Sequence, residues 1–157
     1  MIRDTWQRGG PHAHIFSTRR AQTQGQELTT STRFAFTKVH VTNLSKQTAF
    51  YCSVFGLTEK ARLTVGTGAD AFEEVILKTG RSDDSALVLL RYLKRDNPAP
   101  EGLILGFNVP DLHATVRQVT KHGGFIAEPA KEMAEHGVLV AFAKDPEGHL
   151  IEIVQNV

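Results

Sequence analysis

The chain has 157 residues, of which 41% are hydrophobic and 22% charged, and its formal net charge is +1. This length is sufficient for one domain with a hydrophobic core, and the near-neutral charge gives no reason to expect nucleic acid or an anionic membrane as a partner. The single cysteine, Cys52, excludes an intrachain disulfide and fits a reducing compartment. No apolar run resembles a membrane span or a signal peptide, so we expect a cytoplasmic protein.

The first 33 residues differ in composition from the rest of the chain. They contain five arginines and many Gln, Thr, Ser and Gly residues, without sustained hydrophobic periodicity. This composition predicts a polar N-terminal tail or arm over residues 1–33, followed by a folded domain over residues 34–157. His12 and His14 stand close together in this segment. A metal-binding role for them is one hypothesis, and incidental surface histidines are the interpretation we favour.

The first half of the predicted domain contains the pattern of one helix and four strands. Asn43 is a typical helix N-cap and Gly56 a typical stop, so a helix is expected from Asn43 to about Phe55. Runs of β-branched, aromatic and other apolar residues predict strands over residues 34–41, 72–78 and 86–93, with a fainter one over residues 60–65. Prolines within residues 97–100 cannot continue a strand ladder and indicate a linker.

The second half repeats this order. A strand is predicted over residues 103–109, and Asp111 caps a helix that ends at Gly123 and Gly124. Two strands follow, over residues 138–143 and 150–154. The two halves align through Val-Thr-Asn-Leu at 41–44 with Val-Pro-Asp-Leu at 109–112, and through residues 87–90 with residues 150–153. Such a duplication predicts an α+β fold of two βαβββ modules, over about residues 34–96 and 101–157.

Several motifs in this order resemble one known family. They are Asn43-Leu44 with Ala49-Phe50-Tyr51 and Val54-Phe55-Gly56-Leu57, then Gly106-Phe107-Asn108-Val109 and Lys121-His122-Gly123-Gly124, and finally the run from Asp145 to Ile153. Together they resemble the vicinal-oxygen-chelate superfamily, which includes glyoxalase I, bleomycin resistance proteins and extradiol dioxygenases. The resemblance covers about residues 34–155. It implies paired βαβββ modules forming a curved mixed sheet around a small-molecule cavity, often in a homodimer.

The resemblance also implies a divalent metal held by side chains from the first and last strands of each module. Carried over by spacing, the four ligand positions fall on Phe36, Leu89, Ile104 and Glu152. Only Glu152 offers a donor that binds a divalent ion, and a catalytic metal usually needs about three protein ligands. We therefore predict a degenerate site with no metal or other cofactor.

Strand alternation extends this set of candidate residues. Lys38 and His40 are expected on the face of Phe36, Arg91 on the face of Leu89, and Asn108 on the face of Ile104. The predicted cavity thus has Glu152 and His40 as candidate catalytic groups. Its predicted substrate-binding residues are Lys38, Arg91, Asn108, Phe36, Leu89 and Ile104.

Two interpretations of these charges remain open. Lys38 and Arg91 could hold a polar or anionic ligand while Glu152 or His40 moves a proton. Alternatively, Glu152 pairs with Lys38 or Arg91 in a structural network. A lone strand histidine such as His40 is more often a hydrogen-bonded core residue or a ligand contact than a metal ligand. The remaining domain histidines, His113, His122, His136 and His149, are expected to be solvated, with His136 a weaker candidate for a loop over the cavity.

Three functions are consistent with this sequence. The first is a glyoxalase-like protein that binds or transforms a small polar or anionic molecule at a degenerate metal site. The second is a non-catalytic ligand-binding protein of the bleomycin-resistance kind. The third is a metal-dependent lyase, similar to lactoylglutathione lyase, or a dioxygenase whose ligands lie elsewhere, for example among the N-terminal histidines. If the protein is an enzyme, the resemblance implies a lyase or isomerase of the glyoxalase I class.

Overall fold

Within residues 32–157, eight strands and two α-helices follow the duplicated order that the sequence predicts. The computed structural model describes residues 32–157, so the predicted N-terminal tail, with His12 and His14, lies outside the described residues. The first module contains β1 (Phe36–His40), α1 (Leu44–Phe55), β2 (Thr58–Val65), β3 (Phe72–Lys78) and β4 (Ala86–Tyr92). The second contains β5 (Ile104–Asn108), α2 (Leu112–Lys121), β6 (Phe125–Met133), β7 (Val138–Lys144) and β8 (Leu150–Asn156). The predicted βαβββ order includes a strand at the position of β6, but the sequence pattern indicated no residue range for it.

Each module forms its own four-stranded mixed sheet. The orders are β1-β4-β3-β2 and β5-β8-β7-β6, so the two sheets have the same topology. In each, the first strand pairs in parallel with the last, and the other neighbours are antiparallel. The paired βαβββ architecture is therefore confirmed.

Both helices begin and end at the predicted signals. The Asn43 side chain accepts a hydrogen bond from Lys46 N at 2.9 Å, and the Asp111 side chain accepts one from Ala114 N at 2.8 Å. These bonds satisfy amide groups that have no partner within the helix. Gly56 ends α1 with φ of 66°, a left-handed conformation that glycine adopts without a steric penalty.

One continuous hydrophobic core joins the two modules. Buried residues of both helices and of the helix-facing sides of both sheets belong to a single cluster. Phe55 of α1 stacks on Phe107 of β5 with ring centroids 3.9 Å apart and planes inclined by 15°. The helices therefore lie on the inner side of both sheets, and each sheet has a second face that points away from this core. We call these the first open face (β1 to β4) and the second open face (β5 to β8).

In the part of the chain that the structure describes, neither helix is long and apolar enough to cross a membrane.

Candidate functional site

The first open face carries three of the predicted site residues on β1. Val39 is buried in the core, so its neighbours in the strand, Lys38 and His40, point to the opposite side together with Phe36. The Phe36 side chain is 51% exposed, although it is a large apolar group. The predicted common face of Phe36, Lys38 and His40 is therefore confirmed.

A buried glutamate that the sequence reasoning missed lies on this same face. Glu74 of β3 lies opposite Leu90 of β4, which pairs in register with His40. Lys38 Nζ donates a hydrogen bond to Glu74 Oε2 at 2.6 Å. The Glu74 side chain is only 10% exposed, against 36% for Lys38. Alternation along β3 could have assigned Glu74 a face, but only the sheet register brings it to Lys38, 36 residues away.

Aromatic rings surround this ion pair. Lys38 Nζ lies 5.8 Å from the centroid of Phe36 and 5.5 Å from that of Phe72, within the range of a cation–π attraction.

His40 stacks on Tyr92 with centroids 5.4 Å apart, and the Arg95 guanidinium lies 3.6 Å from the Tyr92 ring centroid. Partial burial, followed by the positive charges of Arg95 and His149, lowers the pKa of His40. This environment favours the neutral imidazole.

The expected position of Leu89 and Arg91 on the cavity side is wrong. Leu89 is fully buried in the core and pairs in register with Val39, which faces the helices. Arg91 shares that side and donates from Nη2 to Glu73 Oε2 at 2.8 Å. The alignment of residues 87–90 with 150–153 was displaced by one residue, and such a displacement moves every side chain to the other face.

The corrected register places Val88 where Glu152 stands in the second module. Lys38 pairs with Val88 just as Gly106, at the matching position of β5, pairs with Glu152. Glu152 lies on the second open face, beside the partly buried Phe142 and on the side of Ile104 and Asn108. The alternative interpretation, in which Glu152 pairs with Lys38 or Arg91, is wrong, because those cations bind Glu74 and Glu73. A single chain therefore presents the predicted site residues in two separate sets.

Beside each of these sets, the described residues form a cleft. One, of ≈180 Å³, runs between β1 and the linker that joins the modules, and Lys38, His40 and His149 line it. The other, of ≈490 Å³, is lined by Asn108 and by residues of the β3–β4 connection. Small-molecule cavities usually enclose about 300–1,000 Å³. The cleft beside Lys38 and His40 is therefore smaller than a complete drug-sized site.

A buried polar network joins the two modules next to the first cleft. Asp145 and His149, at the start and end of the turn before β8, are almost completely buried. Asp145 Oδ2 accepts hydrogen bonds from Tyr51 Oη at 2.9 Å and from His149 Nδ1 at 2.8 Å, and His149 Nε2 lies 2.9 Å from the backbone oxygen of His40. The Glu147 carboxylate accepts from the backbone N–H groups of Thr42 and Asn43 at 2.7 and 2.6 Å, just before α1. The expectation that His149 is solvated is therefore wrong.

This geometry requires a doubly protonated His149. Both ring nitrogens face groups that can only accept, namely a carboxylate and a backbone carbonyl, so both must donate. Burial lowers the pKa of His149, but the hydrogen bond and negative charge of Asp145 outweigh burial, so the pKa is raised. For Asp145, burial raises the pKa, but the hydrogen bonds and charge of His149 and the Tyr51 hydroxyl together lower it. The two groups thus form a buried ion pair.

This pair predicts a pH dependence of stability. A histidine whose folded-state pKa is raised stabilises the fold fully below its unfolded pKa of about 6.5, and this stabilisation is lost as pH rises through the folded-state pKa. We therefore expect the free energy of unfolding to fall as the pH rises from the unfolded-state pKa of His149 through its folded-state pKa. Urea titrations between about pH 6 and about pH 9 measure this change. His149→Gln should flatten the profile, and His113→Gln, on the exposed side of α2, should leave it unchanged. Equal slopes in the wild type and His149→Gln would contradict this role.

The chemistry of the donor set does not fit the divalent metal that the family resemblance implies. With the corrected register, the four positions carry Phe36, Val88, Ile104 and Glu152, and three of these side chains are hydrocarbons. Among the described residues, no group of three or more His, Cys, Asp or Glu side chains could hold a metal ion. One carboxylate from this chain does not suffice for a catalytic ion.

Comparisons with known proteins agree with this fold. Residues 33–153 match the Glyoxalase/Bleomycin resistance protein/Dioxygenase superfamily. The chain belongs to this family.

Relatives and solved structures of this family cover most of the chain. It is 28% identical over 129 residues to a probable lactoylglutathione lyase of Vibrio parahaemolyticus, covering 79% of this chain and 91% of that protein. It is 27% identical over 127 residues to a lactoylglutathione lyase of Neisseria meningitidis, with the same coverage of 79% and 91%. A glyoxalase family protein of Bacillus cereus has a similar fold, with a TM-score of 0.71 at 21% identity over 80% of this chain and 94% of that one. The trypanothione-dependent glyoxalase I of Leishmania major gives a TM-score of 0.63 at 21% identity, covering 80% and 87%.

Proposed function

We propose that this protein binds a small polar or anionic molecule on its open faces, without the metal centre that the family resemblance implies. The observation that supports this most directly is the substitution of three ligand positions by Phe36, Val88 and Ile104. In their place the first open face offers a lysine, a histidine and exposed aromatic rings. Lysine and neutral histidine donate hydrogen bonds to oxygen atoms, and the rings accommodate apolar groups.

We further propose that a second copy of the chain completes the cavity. Phe36 and Ile104, on the two open faces, are 51% and 53% exposed, and Leu63 and Phe125 add further exposed apolar surface at 43% and 62%. Exposed apolar surface of this kind often marks an interface. If the first open face of one copy meets the second open face of the other, Glu152 of one chain approaches His40 of its partner. Glu152 and His40 then remain the candidate proton-transfer groups, and Lys38, Asn108, Phe36 and Ile104 the candidate ligand contacts.

A metal-dependent lactoylglutathione lyase is the second candidate, because the curated relatives at 27% and 28% identity carry that name. The two candidates differ in the metal. We expect the protein, purified without a histidine tag and incubated with Zn²⁺ or Ni²⁺, to retain much less than one ion per chain after dialysis, measured by plasma mass spectrometry. It should also lack lactoylglutathione lyase activity in the presence of either ion.

The Neisseria relative, prepared in the same way, is the control for the metal and activity assays. A stoichiometric ion whose chelation abolishes lyase activity would overturn the metal-free proposal and establish the second candidate. Light scattering on the same sample tests whether two copies of the chain associate. A monomer at all concentrations would contradict a cavity shared between two copies.

A further inference from the structure

We infer that the Lys38–Glu74 pair and the rings of Phe36 and Phe72 form a binding site for the carboxylate of a small aromatic acid. We call these four residues the lysine–phenyl site. The inference rests on the proposed function, because it names the chemical class of ligand that the first open face takes. It assigns two residues, Glu74 and Phe72, that the sequence did not indicate.

The exposure of the two charged partners decides which ligand charge fits. Glu74 is 10% exposed, so its carboxylate is largely covered and already bound to Lys38 Nζ at 2.6 Å. The Lys38 side chain is 36% exposed, so the cationic partner is the more accessible of the two. An incoming molecule therefore meets N–H groups, which bind oxygen anions, and does not meet a free carboxylate that would select a cation.

The Lys38 ammonium has more hydrogen-bond donors than Glu74 uses. It carries three N–H groups, of which one is used by Glu74. Among the residues that the structure describes, Lys38 makes no other hydrogen bond, which leaves two donors. Two donors on one nitrogen match the two oxygens of a carboxylate. Glu74 fixes the direction of the long lysine side chain, so less conformational freedom is lost when a ligand binds.

The rings determine the rest of the ligand. Nζ lies 5.8 and 5.5 Å from the centroids of Phe36 and Phe72, so a group attached to a carboxylate bound there comes to lie beside these rings. Phe36 is half exposed and Phe72 is partly exposed, and an aromatic ligand that covers them removes apolar surface from water. An aromatic acid therefore satisfies both the donors and the rings.

Stability alone does not account for this pair. An ion pair that is mostly removed from water usually contributes little net stability, because desolvation opposes the attraction between the charges. Glu73 of β3 and Arg91 of β4 form a second ion pair, at 2.8 Å, on the helix-facing side of the same sheet. That pair provides a control, since it also joins a cation to a carboxylate but lies on the helix-facing side of the sheet.

The test is a titration of the full chain with benzoate, followed by ¹H–¹⁵N NMR. Benzoate should give saturable shifts of amides in β1, β3 and β4, whereas acetate, which lacks the ring, and benzyl alcohol, which lacks the carboxylate, should bind at least about tenfold more weakly. Lys38→Met should weaken benzoate binding about tenfold or more, and Lys38→Arg should retain it. Glu73→Gln should leave the benzoate affinity unchanged.

A double variant covers the case in which Lys38→Met leaves Glu74 unpaired and unfolds the chain. Lys38→Met with Glu74→Leu replaces both charges by apolar groups, which the fold tolerates better than a single unpaired charge. This folded variant should still fail to bind benzoate. Unchanged affinity in the double variant, benzyl alcohol binding as tightly as benzoate, or no saturable shifts in the wild type would each overturn the inference. None of these results depends on metal content, so this failure is distinguishable from failure of the metal-free proposal.

Discussion

Replacement of Asp145 by alanine is expected to lower the free energy of unfolding by about 3–5 kcal/mol, the usual cost of breaking a buried ion pair by removing one partner. The carboxylate is fully buried and accepts from the Tyr51 hydroxyl, the His149 ring and the backbone N–H groups of Glu147 and His149. When the Gln47 amide is oriented with its nitrogen towards Asp145 Oδ2 and its oxygen towards Glu147 N, it adds a donor to the carboxylate at 3.1 Å. Alanine leaves these donors, including a charged histidine, without their acceptor. Urea-induced unfolding followed by circular dichroism measures the change.

Two control variants separate the ion pair from the rest of this network. Tyr51→Phe removes only the hydroxyl, and a hydrogen bond to a charged group contributes about 1.5–3 kcal/mol, so its effect should be smaller than that of Asp145→Ala. Asp83→Ala removes an exposed aspartate from the β3–β4 connection and should change stability by less than about 0.5 kcal/mol. If Asp145→Ala costs no more than Asp83→Ala, the network does not hold the two modules together in the way described.

Gly124→Ala is expected to destabilise the fold by about 1–3 kcal/mol, the range for overfilling a packed interior. A Cβ at this position would lie 2.7 Å from the backbone oxygen of Lys144, 2.8 Å from Val119 Cγ1 and 2.9 Å from Phe50 Cε2. The backbone of Gly124 does not have a positive φ, so the effect comes from space and not from backbone strain. The three neighbours belong to β7, α2 and α1, and the close contact therefore lies where the two modules pack. Thermal and urea unfolding both report the change.

Gly106→Ala is the matched control. Gly106 also has no positive φ, and among residues 32–157 a Cβ there would meet nothing within 4 Å. Loss of backbone freedom in the unfolded chain makes a tolerated Gly→Ala change neutral or slightly stabilising, by up to about 1 kcal/mol. Similar destabilisation at both positions would indicate that glycine flexibility, and not the packing of the modules, determines the effect.

The site was only partly predictable because the hydrophobic pattern of β4 does not alternate between apolar and polar residues. Along β1, alternation of Lys38, Val39 and His40 shows which residues face the core, and this face was predicted correctly. Residues 87–90 of β4 are all apolar and all buried, so no alternation reveals their sides. The alignment of residues 87–90 with 150–153 therefore predicts Leu89 on the cavity side. The pairing of Val39 with Leu89 corrects that assignment.

By itself the sequence determined the family, the two βαβββ modules, the caps at Asn43 and Asp111, and the hydrocarbon side chains at Phe36 and Ile104. These features depend on residue type, on spacing within one strand, helix or turn, and on the repetition of one pattern in both halves, all of which are present in the order of residues along the chain. Tertiary structure alone decided that Lys38 pairs with Glu74 and that Asp145 accepts from Tyr51, across 36 and 94 residues. Such contacts depend on strand register and on the packing of one module against the other, and local periodicity carries no information about either.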